Sequence, residues 1–298
     1  MMTILTIITP TYNRVSTLKK CWESLCKQSN KKFQWLIIDD GSTDMTQQLV
    51  EHLKNKTVDF EIDYYVKPNG GKHTALNYAH SFIKGEYVMI LDSDDILTTD
   101  AVDTVASEWK KIADNSKIAG ITFMKSKADG IPLAKMPVDR ILSDHIEFRV
   151  NRNINGDCCE TLRTSAFKQY RFPEISGEKF LGEGMLWTTL ALSYCTLYIN
   201  QVIYIAPQYL STGLTMAGRK MRLQNLKGAL LNCELHMNKR IKIQIRIKNA
   251  LLKSCYSFFL RKNIAQIIKE THYKLLIFFA IPFGYVLYHY WYKKYRSA

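Results

Sequence analysis

Residues 87–95 read Tyr87-Val88-Met89-Ile90-Leu91-Asp92-Ser93-Asp94-Asp95, an apolar run followed at once by three carboxylates. A continuous apolar run closed by polar residues predicts a strand buried on both faces of a sheet. The carboxylates then lie together at the end of that strand, where like charges repel unless they are compensated. Two interpretations are open on these residues alone. The carboxylates hold a hard cation such as Mg²⁺ or Mn²⁺, or Asp94 or Asp95 caps the next helix in a solvated turn.

The sequence around this run alternates between strand and helix patterns. Strands are predicted at 3–8, 33–38, 60–66, 87–91 and 118–124. Between these strands, helices are predicted to begin near residues 16, 42, 72 and 100. This alternation predicts an α/β fold with a mostly parallel sheet covered by helices. Ligands of such sheets bind beyond the carboxyl ends of the strands. Three loops, 9–14, 39–44 and 92–95, should therefore converge, which favours the metal interpretation.

The converging loops carry residue types that suit a nucleotide. Asp39 or Asp40 can accept a hydrogen bond from a base N–H, and Tyr12 can stack on the base. Lys72 follows two glycines at a predicted helix N-terminus, where an anion is favoured. Each residue also has a structural interpretation: the acids make a good turn and helix cap, and the lysine can be an ordinary surface residue.

Four motifs resemble family 2 glycosyltransferases, which have the GT-A fold. They are Thr-Pro-Thr-Tyr-Asn-Arg (9–14), Ile-Asp-Asp-Gly-Ser-Thr-Asp (38–44), Asn-Gly-Gly-Lys-His-Thr-Ala-Leu-Asn (69–77) and Leu-Asp-Ser-Asp-Asp (91–95). The resemblance implies a nucleotide-diphospho-sugar donor, with a UDP-sugar as the first choice, and a divalent metal, Mn²⁺ or Mg²⁺. It also implies inverting transfer to a hydroxyl of a glycan or lipid-linked acceptor, as in bacterial cell-surface polysaccharide synthesis.

The same resemblance assigns roles position by position. Asp40 becomes the base-reading acid, Asp92 the ribose acid, and Asp94 a metal ligand together with Asp92. The implied nucleotide-sugar-binding positions are Thr9, Pro10, Thr11, Tyr12, Asn13, Arg14, Asp39, Asp40, Gly71, Lys72, Asn77, Asp92 and Ser93.

Inverting transfer needs a carboxylate to deprotonate the acceptor hydroxyl. Residues 177–184 precede a helical run at 185–192 and resemble the segment in which family members place this base, which makes Glu183 the candidate. Gly184 stands where many members have a second acid. Asp157, Glu160 and Glu178 are acceptor-side alternatives, and Glu183 can also be only a first-turn acid of the helix.

Charge divides the 298-residue chain into two parts. The net charge is +14, yet residues 211–298 alone carry +15, and residues 1–210 carry −1. We therefore predict a glycosyltransferase domain at 1–215, with a donor half (1–125) and an acceptor half (126–215), and a basic, mainly helical C-terminal region at 216–298. A basic surface on a neutral body predicts an anionic partner. No nucleic-acid-binding motif is present, which favours a membrane.

Residues 275–292 are nearly all apolar and rich in aromatics, with lysines following. This composition favours a segment lying in the membrane interface, and an ordinary buried helix is the alternative. The type of the alternating segment 239–248 is left open. Seven scattered cysteines without a C-x-x-C pair favour reduced thiols. With no signal peptide recognised at the N-terminus, we expect a cytoplasmic protein, peripheral at the inner face of the membrane.

Two other functions are compatible with an α/β sheet and a metal. A sugar-phosphate nucleotidylyltransferase would need a glycine-rich loop after the first strand, and residues 9–14 contain no glycine. A non-catalytic membrane-associated scaffold would keep the fold without turnover, and Gly184 is the feature that favours it.

Overall fold

The computed structural model describes residues 3–207 and 214–295. Its strands are β1 (Leu5–Thr11), β2 (Phe33–Asp39), β3 (Glu61–Val66), β4 (Tyr87–Ile90), β5 (Ile96–Leu97), β6 (Ile118–Lys127), β7 (Ile141–Ser143), β8 (Cys158–Arg163) and β9 (Cys195–Ala206). The helices are α1 (Val15–Cys26), α2 (Thr46–Lys56), α3 (Lys72–Ala79), α4 (Ala101–Lys111), α5 (Thr164–Gln169), α6 (Gly184–Leu190), α7 (Leu214–Gln224), α8 (Leu226–Leu235), α9 (Ile243–Phe259), α10 (Ile264–Lys269) and α11 (Lys274–Tyr295), with a π-helix at Ile146–Asn151.

The strands form one mixed sheet in the order β3-β2-β1-β4-β8-β6-β9-β5, with β7 paired to β9. The first four strands in this order, β3, β2, β1 and β4, all run parallel to one another. β8 then runs antiparallel to both β4 and β6, while β6 and β9 are parallel to each other. The predicted α/β class, with a central sheet flanked by helices and a helical C-terminal region, is confirmed. The parallel arrangement dominates the donor half, and the acceptor half adds antiparallel pairs.

The central strands are apolar throughout because helices cover both faces of the sheet. Successive residues of a strand point to opposite faces, so Ile7 packs with α1, α2 and α4, whereas Ile8 packs with α3, α5 and α6. Both side chains are fully buried. These two layers fix the strand ends rigidly, which positions the loops that follow them.

The first strand extends further than the sequence predicts. Strand β1 continues to Thr11, with Pro10 in register with Ile38 of β2. The carbonyl of Ile8 accepts a hydrogen bond from the N–H of Leu91, so even-numbered residues of β1 turn their backbone groups toward β4. Because β4 ends at Ile90, the missing N–H of Pro10 removes no ladder hydrogen bond, and proline is tolerated there.

The C-terminal region forms its own small helical layer. Helix α11 packs on α9 through Gly284, where an added Cβ would lie 2.5 Å from the Cβ of Ser254. The alternating segment at 239–248 is mostly the start of α9, with no strand. The predicted boundary at 215/216 stays a prediction, and residues 208–213 beside it lie outside the described residues.

Helix α11 has one buried and one exposed face. It covers the predicted segment 275–292, and it is long and apolar enough to cross a bilayer by length and composition. Its buried side chains include Ile277, Ile281 and Trp291, whereas Phe279 and Val286 are each 69% exposed.

Candidate active site

A cleft of about 930 Å³ opens at the carboxyl ends of the central strands. It gathers residues from β1, β4, β6 and β8, the π-helix and the loop before α6. Its lining includes these predicted site residues: Pro10, Thr11, Tyr12, Asn13, Arg14, Asp40, Gly71, Lys72, Asp92, Ser93, Asp94, Asp157, Glu160 and Glu183.

The loops after β1 and β2 are joined to each other by Asn13. Its side-chain oxygen accepts a hydrogen bond from the N–H of Thr43 (2.8 Å), and its own N–H donates to the hydroxyl of Ser42 (2.8 Å). Asn13 has a positive φ of 52°, a conformation that asparagine tolerates better than most residues. Tyr12, the residue before it, is therefore held at the edge of the cleft, where it is 46% exposed.

Asp40 organises the glycine turn that precedes α3. Its carboxylate accepts hydrogen bonds from the N–H groups of Gly70 (2.9 Å) and Gly71 (2.6 Å) and pairs with the ammonium of Lys67 (2.7 Å). Asp40 is 4% exposed, so these contacts supply the partners that a buried carboxylate requires. Its assignment as a base-reading acid remains a prediction.

Thr9 and Asp39 do not line the cleft. The hydroxyl of Thr9 accepts a hydrogen bond from the indole N–H of Trp35 beneath the sheet edge (2.9 Å). The carboxylate of Asp39 accepts hydrogen bonds from the hydroxyl of Tyr64 (2.6 Å) and the N–H of Ser42 (2.7 Å). Both residues are almost fully buried. The structure therefore places them behind the site rather than against a ligand.

Asn77 is also outside the cleft. Its side-chain amide donates to the carbonyl of Phe172 (2.8 Å) and to Glu174 (2.8 Å), and its oxygen accepts from the N–H of Phe172 (2.8 Å). It therefore joins α3 to the chain after α5. The sequence missed this role because its partner lies 95 residues away.

Glu178 lies outside the cleft as well. Its carboxylate accepts hydrogen bonds from the N–H groups of Lys227 (2.7 Å) and Gly228 (2.8 Å) at the start of α8. The acceptor-side position predicted for Glu178 therefore does not match the structure.

The three acids after β4 do not cap a helix, because the next helix begins only at Ala101. Asp95 is buried and bonded to the hydroxyl of Tyr204, which also accepts the N–H of Asp92 (2.9 Å). Burial and then the charge of Asp92 raise the pKa of Asp95 to about 7. The same two causes raise the pKa of Asp94. The helix-cap interpretation is therefore wrong.

Lys72 connects this acidic cluster to Glu183. Its ammonium forms ion pairs with the carboxylates of both Asp92 and Glu183. Burial opposes the charged form of Lys72, but the two carboxylates dominate and raise its pKa well above the usual value. Burial likewise acts to raise the pKa of Asp92, but Lys72, Lys125 and Arg14 together outweigh it, so that this pKa is lowered. One lysine thus brings the predicted donor acid and the predicted base together.

The residues at the end of β4 fit a divalent cation. Asp92 and Asp94 supply carboxylate oxygens, the ligands that Mg²⁺ and Mn²⁺ prefer. Burial and then the charge of Asp92 raise the pKa of Asp94, and a cation would relieve both effects. Within residues 3–207 and 214–295, no group of three or more His, Cys, Asp or Glu side chains is arranged to hold a metal. Asp92 and Asp94 would be the carboxylates that hold such a cation.

The acceptor side of the cleft holds Glu160 from β8 and Arg149 from the π-helix, a helix type often found at functional sites. Burial raises the pKa of Glu160 to about 7, despite the neighbouring guanidinium of Arg149. Arg149 contacts the sulfur of Cys158 and the carbonyl of Gly156, while its buried Nε has no hydrogen-bond partner among the residues that the structure describes. Asp157 lies at the exposed rim of the same wall.

Lys125 on β6 is a cleft residue that the sequence analysis missed. Its ammonium lies 4.0 Å from the ring centroid of Tyr204. Burial acts against the charge of Lys125, but Asp92 and Asp95 outweigh it and raise the pKa. No motif surrounds this lysine; only its position near the end of a predicted strand could have suggested that it reaches the site.

Comparisons with known proteins establish the family. The model of Glycosyl transferase family 2 matches residues 6–171, more than half of the chain. The chain belongs to this family, as the four motifs indicated.

The curated relatives match part of the chain. An uncharacterised glycosyltransferase of Mycoplasma genitalium is 32% identical over 123 residues, 40% of each chain. The chondroitin synthase of Pasteurella multocida is 37% identical over 108 residues, 36% of this chain and 11% of that protein. The chain therefore matches well under two thirds of the length of these relatives.

Solved structures share the fold over nearly the whole chain. TarS 1–349 of S. aureus, solved in complex with UDP-GlcNAc, has a TM-score of 0.66 at 17% identity and covers 99% of this chain and 92% of its own. A mannosyltransferase of Pyrobaculum calidifontis, in complex with GDP-Man and Mn²⁺, has a TM-score of 0.59 at 16% identity and covers 99% and 88%. At these identities the likeness shows the GT-A fold alone.

Proposed function

We propose that this protein transfers a sugar from a nucleotide-diphospho-sugar, with a UDP-sugar as the first choice, to a hydroxyl of a glycan or lipid-linked acceptor. The transfer inverts the anomeric carbon and serves cell-surface polysaccharide synthesis. The ion pairs of Lys72 with Asp92 and Glu183 carry the proposal, because the two carboxylates to which it assigns the donor-acid and base roles share one lysine in one cleft.

Glu183 is the base of this reaction. It takes the proton of the acceptor hydroxyl while the acceptor oxygen forms a bond to the anomeric carbon. On the opposite face of that carbon, the bond to the diphosphate oxygen breaks, and its electron pair leaves with the nucleoside diphosphate. A single displacement of this kind inverts the configuration.

The donor side stabilises the leaving diphosphate. Lys72 lies at the N-terminus of α3, where its ammonium and the helix dipole both favour an anion. Asp92 and Asp94 would hold Mn²⁺ or Mg²⁺, which supplies Lewis-acid stabilisation of the phosphate charge when bound. Tyr12 and Asn13 line the part of the cleft assigned to the nucleotide.

Glu183→Gln tests the base assignment. Transfer should fall by about 10³-fold, within the range of general-base effects, while donor affinity measured by calorimetry with Mn²⁺ changes little. Glu160→Gln is the matched variant, because it removes the other carboxylate facing the same space. Loss of donor binding in Glu183→Gln, or a larger loss of transfer in Glu160→Gln, would show that the base is misassigned.

A thermal-shift screen of nucleotide sugars with Mn²⁺ would identify the donor, because a ligand that binds the native state raises its melting temperature. Measured hydrolysis or transfer of the stabilising donor separates an enzyme from a non-catalytic scaffold. Pyrophosphate release from a nucleoside triphosphate and a sugar phosphate would instead indicate a nucleotidylyltransferase.

We also propose that the C-terminal region binds an anionic membrane surface. Its two acids, Glu234 and Glu270, are paired with Lys253 and Lys262, so its other basic residues are left uncompensated by carboxylates of that region. The exposed apolar face of α11 suits the interfacial layer of a bilayer.

Flotation with vesicles of anionic and of neutral lipids tests this surface. Phe279→Ser with Phe283→Ser should weaken binding to anionic vesicles at least tenfold without lowering the melting temperature, because both rings are exposed. Equal binding of wild type and variant would contradict the proposal.

A further inference from the structure

The loop that carries Glu183 is held from outside the catalytic sheet. We call residues 177–184 the base loop. The backbone N–H groups of Lys179 (2.9 Å) and Phe180 (3.0 Å) both donate to the side-chain oxygen of Asn225. Asn225 belongs to the C-terminal region and is 8% exposed.

The contact is reciprocal. Asn225 is the N-cap residue of α8, yet its side chain makes no cap hydrogen bond to its own helix. Glu178 of the base loop supplies that cap by accepting from the N–H groups of Lys227 and Gly228. An asparagine in this position usually accepts from its own first turn. Here the two side chains have exchanged partners, which ties the loop to the helix.

The opposite side of the base loop rests on the donor site. A Cβ added to Gly71 would lie 1.9 Å from the carbonyl oxygen of Lys179, so the loop backbone lies directly against the glycine turn. Next along the loop, Leu181 packs on Gly228, where an added Cβ would lie 2.8 Å from its Cδ1. The loop is therefore held between α8 and the turn before Lys72.

We propose that Asn225 and Glu178 are positioning residues for Glu183, so that the C-terminal region completes the active site. This inference rests on the proposed role of Glu183 as the base. Only two residues separate Phe180 from Glu183. The loop also contains three glycines around which the described residues leave open space, with no atom within 4 Å of an added Cβ: Gly177, Gly182 and Gly184. These glycines add no side-chain packing, so the position of Glu183 depends on its ion pair with Lys72 and on the contacts of residues 178–181. A misplacement of about 1 Å can cost about 10²-fold in rate.

Asn225→Ala in the full-length protein tests the proposal. We expect kcat to fall 10- to 100-fold with unchanged donor affinity, and hydrogen exchange of residues 178–186 to accelerate. Asn225→Asp keeps an acceptor oxygen for both loop amides and should restore kcat to within about fivefold. Asn263→Ala is the control, because it removes a side-chain cap from α10 of the same region without touching the loop.

The outcomes separate this inference from the proposed function. If exchange of residues 178–186 is as slow in Asn225→Ala as in wild type, or if Asn263→Ala lowers kcat as much, the positioning role is refuted. If wild type transfers no sugar from any nucleotide sugar, the proposed function fails, and the exchange data still report whether Asn225 holds the loop. If exchange accelerates and kcat does not change, Asn225 orders the loop without positioning a base.

Discussion

The two sides of the cleft differ in how their charges are compensated. On the donor side, Asp40 is paired with Lys67, and Asp92 is paired with Lys72. On the acceptor side, Glu160 and Arg149 face the cleft, and neither forms an ion pair with any residue that the structure describes. Ion pairs thus hold Asp40 and Asp92 on the donor side in place before a ligand arrives, although Asp94 beside them has no ion pair among the described residues. On the acceptor side, both Glu160 and Arg149 are left for a ligand to satisfy.

The largest expected effect comes from breaking the donor side. Asp94→Asn removes one of the two proposed metal carboxylates and should lower transfer by about 10³-fold, because a bound metal stabilises the phosphate charge by several kcal/mol. Nucleotide binding should lose its dependence on Mn²⁺ in the same variant. Asp114→Asn is the control, because Asp114 is exposed and does not line the cleft. Full activity in Asp94→Asn would end the metal proposal.

Lys125 interacts with Asp92 on the donor side of the cleft and with Glu160 on the acceptor side. Its removal therefore tests how the charges of the two sides depend on each other. Lys125→Met deletes a cation that balances Asp92 and Asp95 and faces the cleft. Hydrogen bonds to charged groups contribute about 1.5–3 kcal/mol, so kcat/KM should fall about 10- to 100-fold. Lys127→Met changes the exposed lysine two residues along the same strand and should have no effect. Similar rates in both variants would show that Lys125 contacts no ligand.

Asn77→Ala distinguishes a role of Asn77 in the stability of the fold from a role in donor binding. The change leaves the N–H and carbonyl of Phe172 without their partner, which should lower the free energy of unfolding by about 2 kcal/mol. Denaturant unfolding measures this loss, and donor affinity of the folded variant should equal that of wild type. Weaker donor binding at unchanged stability would instead show that Asn77 takes part in donor binding.

The smallest expected effect is on the acceptor side and depends on pH. The pKa of Glu160 is raised from 4.5 to about 7 by burial, so the native state holds the proton more tightly than the unfolded chain. Its contribution to stability is therefore present below pH 4.5 and is lost as pH rises through 7. Glu160→Gln should raise the melting temperature at pH 8.5 by a few degrees, a gain of at most about 1 kcal/mol, and change it little at pH 4.5. An equal increase in melting temperature at pH 4.5 and at pH 8.5 would contradict a pKa of about 7 for Glu160.

Local sequence predicted the donor side well for a physical reason. In a parallel sheet the carboxyl ends of neighbouring strands meet at one edge, so residues just after each strand must converge. Tyr12, Asp40 and Asp92 lie within two residues of the ends of their strands and do line the cleft. The family resemblance added the order of the motifs and pointed to Glu183, which no strand end specifies.

The remaining site residues depend on distant pairing. Lys125 and Glu160 reach the cleft because β8 runs antiparallel between β4 and β6, and no local pattern encodes that arrangement. The motifs that include Thr9 and Asp39 also include Pro10 and Asp40, which do line the cleft. Strand alternation turns one residue toward the ligand and the next away, and the phase of that alternation at a strand end is not visible in the sequence.

Position 71 accepts no residue other than glycine without a change in the backbone around it. Gly71 has a φ of 95°, and any Cβ would collide with the backbone of Lys179. Other residues avoid this conformation, and the collision involves a main-chain atom that no rotamer change can move. Substitution here would displace the base loop and the turn before Lys72 together. A position that contributes no side chain thus restrains the site as strictly as one that does.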